Sequence, residues 1–184
     1  MTLFSDEQLA LGVQRGRADD LTFLVERYHA PLLGFLYRLT GGDRLLADDL
    51  VQETFLRLLA RIDSYRYPRP LKPWLYAIAV NLARDHYKQA DSRHTDSLLA
   101  DLDPPAGSTP EMEYLAGETT RQAVAALGSL PALQQEVLLL RYFQELSLKE
   151  IAQILQVPVG TVKSRLSLGL QRIKDEVKRT KAEE

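Results

Sequence analysis

The chain has 184 residues, with 23 Lys and Arg against 25 Asp and Glu, a formal net charge of −2 and no cysteine. That length suits one ordinary domain or two small ones, with enough apolar residues for a core that needs no metal or disulfide. The missing thiol excludes disulfide frameworks, thiol catalysis and Cys-ligated zinc, and near-neutrality argues at first sight against a nucleic-acid partner.

The N-terminus, Met1 to Arg17, carries Asp6, Glu7, Arg15 and Arg17 and lacks the apolar stretch of a signal peptide. No apolar run approaches the ~18 residues that span a bilayer. These features predict a soluble, cytoplasmic protein without membrane insertion.

Ser5-Asp6-Glu7-Gln8 is a capping box that opens the first helix. Leu9 and Val13 follow, then Leu21, Leu24, Val25, Tyr28, Leu32, Phe35, Leu36 and Leu39 recur at three- and four-residue steps, a helical stripe. Gly41-Gly42 ends that helix and Asp43 caps the next. Leu46, Leu50, Phe55, Leu58, Leu59 and Ile62 form its inward stripe. Opposite lie Asp48, Asp49, Gln52 and Glu53. Such an acidic stripe is either a solvated face or a docking face for a basic partner.

From Asp63 to Tyr76 the sequence interleaves aromatics, prolines and basic residues, and Pro73 suits a helix start. Trp74, Ile78 and Leu82 are in phase, which predicts Trp74 as a core residue. Tyr76, Tyr87 and the pair Tyr65 and Tyr67 are expected at the surface. Aromatics stack on unpaired bases, Arg and Lys track phosphates, and Asn can read a base edge. The candidate single-strand surface is therefore Tyr65, Arg66, Tyr67, Arg69, Lys72, Tyr76, Asn81, Arg84 and Lys88.

Between about Asp91 and Thr109 the helical pattern gives way to Ser, Asp, Pro and Gly. This predicts an acidic, flexible linker, 93–110, between a helical domain over 1–92 and a second over 111–184. Thr109-Pro110-Glu111 reads as the next helix start. No segment alternates with period two, so the expected fold class is all-α, two small helical domains.

Ser147-Leu148-Lys149-Glu150 is a second capping box. Ile151, Ile154 and Leu155 should face inward on a short helix that Gln156-Val157-Pro158 breaks. Gly160 to Leu166 opens another helix, and the pair has the pattern of a helix-turn-helix. The start of the second helix of such a motif reaches base edges in the major groove. Gly160, Thr161, Lys163, Ser164 and Arg165 sit there, and Arg172 lies further along, where phosphate contact is expected. Val162, Leu166 and Leu170, at steps of four, are expected to anchor the helix.

Charge is segregated along the chain. Residues 1–63 hold seven Arg and ten acids, net −3; residues 64–93 hold six bases and two acids, net +4. Residues 94–127 hold one Arg and six acids, net −5; residues 128–184 hold nine bases and seven acids, net +2. The basic blocks coincide with the aromatic loop and the helix-turn-helix, so the near-neutral sum does not exclude DNA.

In order and spacing, three segments resemble the bacterial RNA polymerase sigma factors of the extracytoplasmic function (ECF) group. They are Asp48 to Phe55, Trp74 to Asn81, and Leu138 to Phe143 with Ser147 to Arg165. The resemblance covers nearly the whole chain except the linker. It implies an initiation factor that binds core RNA polymerase through the β′ clamp helices and the β subunit. Asp48, Asp49, Gln52 and Glu53 would make the β′ contact. The segment from Tyr65 to Lys88 would recognise and melt the −10 element, and the helix-turn-helix would read the −35 element. The linker would thread towards the active-site and RNA-exit channels. An anti-sigma factor is the implied regulator. Leu168 and Leu170 stand where many relatives carry Arg, and Ala77 where a basic residue is frequent.

Two other readings compete. A stand-alone regulator would bind an operator through the helix-turn-helix alone, but it has no need of the acidic helix or the aromatic loop. An enzyme is disfavoured: the chain has no phosphate-binding G-x-x-x-x-G-K-[ST] loop. His29, His86 and His94 lack metal-ligand spacing, and no nucleophile–base arrangement accompanies the acids. No metal and no cofactor are expected.

Overall fold

The computed structural model describes residues 4–94 and 127–183. Among them every regular element is helical, as the periodicity predicts. The linker expected over 93–110 and the helix start at Thr109 lie outside the described residues, except that Arg93 and His94 end a helix.

The N-terminal unit has four helices: α1 Asp6–Gln14, α2 Ala18–Leu39, α3 Arg44–Arg61 and α4 Leu71–His94. Local chemistry sets their starts. Ser5 and Gln8 close the capping box that opens α1, and the Asp43 carboxylate accepts from the Leu46 N–H at 2.9 Å to open α3. Gly41 and Gly42 both take positive φ, which lets the chain reverse after α2 at no Cβ cost. Asp6 on α1 accepts from both Arg27 and Tyr28 on α2, fixing the first crossing. Leu24, Leu32, Phe35, Leu36, Leu58, Leu71 and Leu75 are buried in the core these helices share. Each such side chain contributes roughly 1.5–3 kcal/mol of transfer free energy.

The C-terminal unit has three: α5 Ala132–Leu138, α6 Leu148–Leu155 and α7 Val159–Glu183. Ser147 and Glu150 form the expected box at α6, whose Ile151, Ile154 and Leu155 face inward. Gln156 ends α6 in the left-handed region, at φ 54°, and the turn delivers Val159 to the start of α7. The helix-turn-helix is therefore present as read.

One anchor is misplaced by the reading. Leu170 is exposed, and Gly169 is the buried residue, with α5 so close that a Cβ there would stand 2.8 Å from Leu138 Cδ1. At 3.6 residues per turn, eight residues from Val162 overshoot by most of a quarter turn, whereas seven return almost in phase.

Between α5 and α6 the chain makes a π-helical turn, Leu139–Phe143, in which the Gln144 N–H reaches Leu139 O at 3.2 Å. This wide turn swings Gln144 into the interior. The two units pack together: α4 lies against α6, α2 touches α5 and the π turn, and buried apolar residues of both form one cluster.

Candidate nucleic-acid and polymerase interfaces

The outer face of α3 combines charge with apolar surface. Asp49 and Gln52 are exposed, while Asp48 and Glu53 pair along the helix with Arg44 (3.0 Å) and Arg57 (2.9 Å). Exposed ion pairs of this kind contribute under about 1 kcal/mol and are readily exchanged for a partner's charges. Leu45, Leu56 and Leu59 are also exposed, the first two at 80% and 60%. Leu59 was expected on the inward stripe; it lies nearly opposite Leu50, towards the acids. Sequence reading missed Leu45 and Leu56, although their spacing from Gln52 places all three along one face.

The loop before α4 is pinned from below. The Gln14 amide donates to Ile62 O (2.6 Å) and Tyr65 O (2.9 Å), and the Tyr65 hydroxyl donates to Arg69 O. Arg66, Tyr67 and Arg69 consequently project into solvent. Tyr65 does not: it is buried, with its ring 5.7 Å from that of Trp74, and burial, with nearby acids, pushes its hydroxyl up to about 12. Trp74 is only half-buried. The expected roles are thus partly exchanged, because the Gln14 clamp turns Tyr65 inward.

Along α4 the candidates divide into exposed side chains and side chains that contact the C-terminal unit. Asn81 and Lys88 are exposed with Asp85, and Tyr87 is also exposed, its hydroxyl reaching Leu39 O at 3.4 Å. Lys72, Tyr76 and Arg84 instead reach the C-terminal unit. The Lys72 ammonium donates to Gln144 O at 2.7 Å, and the Tyr76 hydroxyl donates to the Gln144 side-chain oxygen. Arg84 makes a two-pronged contact with Glu136, Nε to Oε1 at 2.8 Å and Nη2 to Oε2 at 2.5 Å. The expectation of an exposed Tyr76 is corrected: it is 0% exposed, edge-on to Phe35 at 5.2 Å. Its burial raises the hydroxyl pKa, whereas the hydrogen bond that Arg84 donates to Glu136, which outweighs burial, holds Arg84 more firmly protonated.

On α7, Gly160, Lys163, Ser164 and Arg172 are exposed and Thr161 is half-buried. Arg165 is half-buried too, and its Nη1 is enclosed without a hydrogen-bond partner. The helix start therefore presents Gly160, Lys163 and Ser164 to solvent, with the Ser164 hydroxyl donating to Thr161 O at 3.0 Å. In a helix-turn-helix, the start of the second helix is the part that reaches base edges. Among the described residues no cluster of three His, Asp or Glu could hold a metal, and no helix is long and apolar enough to cross a membrane.

Comparison with known proteins decides the family. Residues 24–93 match Sigma-70 region 2 and residues 120–173 match Sigma-70, region 4. The ECF RNA polymerase sigma factor SigW of Bacillus subtilis is 32% identical over 175 residues, covering 90% of this chain and 93% of SigW. The chain belongs to the ECF sigma factors. The ECF RNA polymerase sigma-E factor of Haemophilus influenzae is 30% identical over 187 residues, 94% of this chain and 95% of that one. Among solved structures, the sigma factor RpoE in complex with the anti-sigma factor NepR, from Bartonella quintana, superposes with a TM-score of 0.73. The identity is 26%, over 88% of this chain and 98% of that one. CnrH, solved with the cytosolic domain of CnrY, shares the fold at 23% identity and a TM-score of 0.73, over 95% of this sigma factor and 97% of CnrH.

The sigma factor's polar inter-unit residues escaped sequence reading. Glu136 is separated from Arg84 by 52 positions, and Gln144 from Tyr76 by 68. One signal was available. Glu136 adjoins the apolar run Val137 to Leu140, and a carboxylate buried beside such a run needs a cation.

Proposed function

We propose that this sigma factor divides its work along the chain as its surfaces divide. Residues 1–92 bind core RNA polymerase and open the −10 element, 93–110 link, and 111–184 read the −35 element. The mixed acidic and apolar face of α3, with Asp48, Asp49, Gln52 and Glu53, docks on the β′ clamp helices, and the C-terminal unit faces the β subunit and promoter DNA. Arg66, Tyr67, Arg69, Asn81 and Lys88 take the displaced strand, joined by Lys72 and Arg84. Gly160, Thr161, Lys163, Ser164, Arg165 and Arg172 contact the −35 duplex. The chain works in the cytoplasm and performs no catalysis; the polymerase supplies the chemistry. An anti-sigma factor restrains it, as NepR accompanies RpoE in the related complex.

The observation that carries this reading is the pinned loop, which leaves a tyrosine and two arginines exposed just before α4, the helix that carries the exposed Asn81 and Lys88. Stacking on an exposed aromatic is worth about 1–3 kcal/mol per base. Tyr67→Ala with Asn81→Ala should therefore leave polymerase binding and −35 protection intact while abolishing permanganate reactivity of thymines in the −10 region. Unchanged thymine reactivity would refute the assignment.

A further inference from the structure

The recognition helix is sparing with charge where it would meet the walls of a DNA groove. Over Val159 to Leu170 its basic residues are Lys163 and Arg165, and Arg165 is half-buried with one nitrogen enclosed. At about 100° per residue, Leu168 and Leu170 fall on either side of the exposed stripe Gly160, Ser164, Ser167 and Gln171. Both leucines are in solvent, 56% and 43% exposed. A helix that points this stripe into the major groove turns its flanks towards the two sugar–phosphate backbones, and leucines neutralise neither.

The preceding helix supplies what α7 lacks. Lys149 and Gln153 lie one turn apart on α6, and Gln156 follows at its end, so the three share the side opposite the buried Ile151, Ile154 and Leu155. All three are exposed, and they line one open groove that runs past Pro158 to Val159, where α7 begins. Among the described residues no carboxylate lines this groove. The neighbouring acid, Glu150, is engaged elsewhere, accepting from the Ser147 N–H at 2.8 Å.

We propose that this sigma factor grips the −35 duplex backbone with α6 in place of the flanks of α7: Lys149 pairs with one phosphate, and Gln153 and Gln156 donate amide hydrogens beside it. The proposal rests on the assignment of the helix-turn-helix to the −35 duplex. The first helix of such a motif crosses the backbone while the second lies in the groove. Lysine and glutamine both serve as phosphate contacts, which fix register and carry no sequence information. Only the lysine displaces a counterion, so the grip has the salt dependence of one phosphate.

The test uses the full chain and a short random-sequence duplex DNA pool. Fluorescence anisotropy gives the affinity as salt rises from about 50 to 200 mM, and sequencing of the retained duplexes gives the base preference. Lys149 is exposed and takes no part in the Ser147–Glu150 box, so Lys149→Ala should fold normally. It should lower the slope of log affinity against log salt by about 0.9, a loss across that range about 3.5-fold smaller, with the retained sequences unchanged. Gln153→Ala should weaken binding equally at every salt concentration. Leu168→Arg with Leu170→Arg should restore the slope that Lys149→Ala removes. An unchanged slope in Lys149→Ala, or altered retained sequences, would overturn the α6 grip. A slope that the two arginines leave low would overturn the exchange between α6 and α7. Lys163→Ala keeps the two hypotheses apart, because it should change the retained sequences whichever helix holds the backbone. If it leaves them unchanged, the −35 assignment of α7 has failed, whatever the slopes show.

Discussion

Single residues decide how closely these helices approach. Gly12 on α1 is the sharpest case: a Cβ there would stand 1.6 Å from Asp20 Oδ2 and 2.4 Å from Arg17 Nη2. Asp20 is buried and its carboxylate lies 2.8 Å from Arg17 Nε, so the pair is seated directly against the Gly12 backbone. Gly12→Ala gains helix propensity of about 1 kcal/mol but must expel a buried carboxylate from its place. Overpacking of this kind costs about 1–3 kcal/mol. The net expectation is a loss of stability, read as a lower urea midpoint with unchanged slope. A stabilised variant would mean that Asp20 relocates without cost. Residues of this kind are poorly legible in sequence. Gly12 sits inside the apolar period of α1 with nothing to mark it, and Tyr65 and Tyr76 share the basic–aromatic composition of Tyr67 yet point inward. Composition says which side chains can stack on a base; only the clamp from Gln14 and the partner Gln144 say which of them face out.

Elements were far more legible, because each carries its own boundary chemistry and period. The boxes at Ser5 and Ser147, the cap at Asp43 and the Gly41-Gly42 stop all stand where they were read. The errors are of phase. Extending a stripe in steps of four places Leu59 and Leu170 inward, but that step drifts round the helix and both are exposed. The drift matters on α3, where it hides an apolar patch inside the acidic face. Leu45 and Leu56 give the face an apolar component that a merely solvated helix has no reason to expose in line. Leu56→Ser with Asp49→Lys should weaken core polymerase binding at least about tenfold, or ~1.4 kcal/mol. Thermal stability should stay within about 0.5 kcal/mol, because neither side chain is in the core. Unaltered polymerase affinity by fluorescence titration would remove α3 from the interface.

At the scale of the whole molecule, the packing of the two units had no local signature, since its hydrogen bonds join residues 52 to 97 positions apart. It does have a signature in pH. Three buried tyrosine hydroxyls tie separate parts together: Tyr28 bonds Asp6 between α2 and α1, Tyr65 bonds Arg69 O within the loop, and Tyr76 bonds Gln144 across the units. Burial is the leading cause that raises all three. The bond to Asp6 and its charge add to the effect at Tyr28, and Tyr65 rises to about 12. Between the ordinary tyrosine value of about 10 and these raised values, the unfolded chain has released protons that the folded chain retains. Stability then falls as pH rises, because the unfolded state binds fewer protons. The tyrosine contribution is therefore fully present below about pH 10 and is lost as pH climbs through 12 and beyond. Urea unfolding across that range should show a declining midpoint, with a shallower decline in Tyr28→Phe. Lysines also titrate there, so the difference between the two proteins is the informative quantity. Tyr76→Phe separates the two levels of structure. It should reduce the alkaline loss of inter-unit packing, read by the distance between spin labels on Ala60→Cys and Gln171→Cys, two exposed positions on different units, beyond any change in helix content by circular dichroism. If the distance and the helix signal instead collapse together at the same pH in both proteins, the two units unfold as one body and the Tyr76–Gln144 bond does not govern their separation.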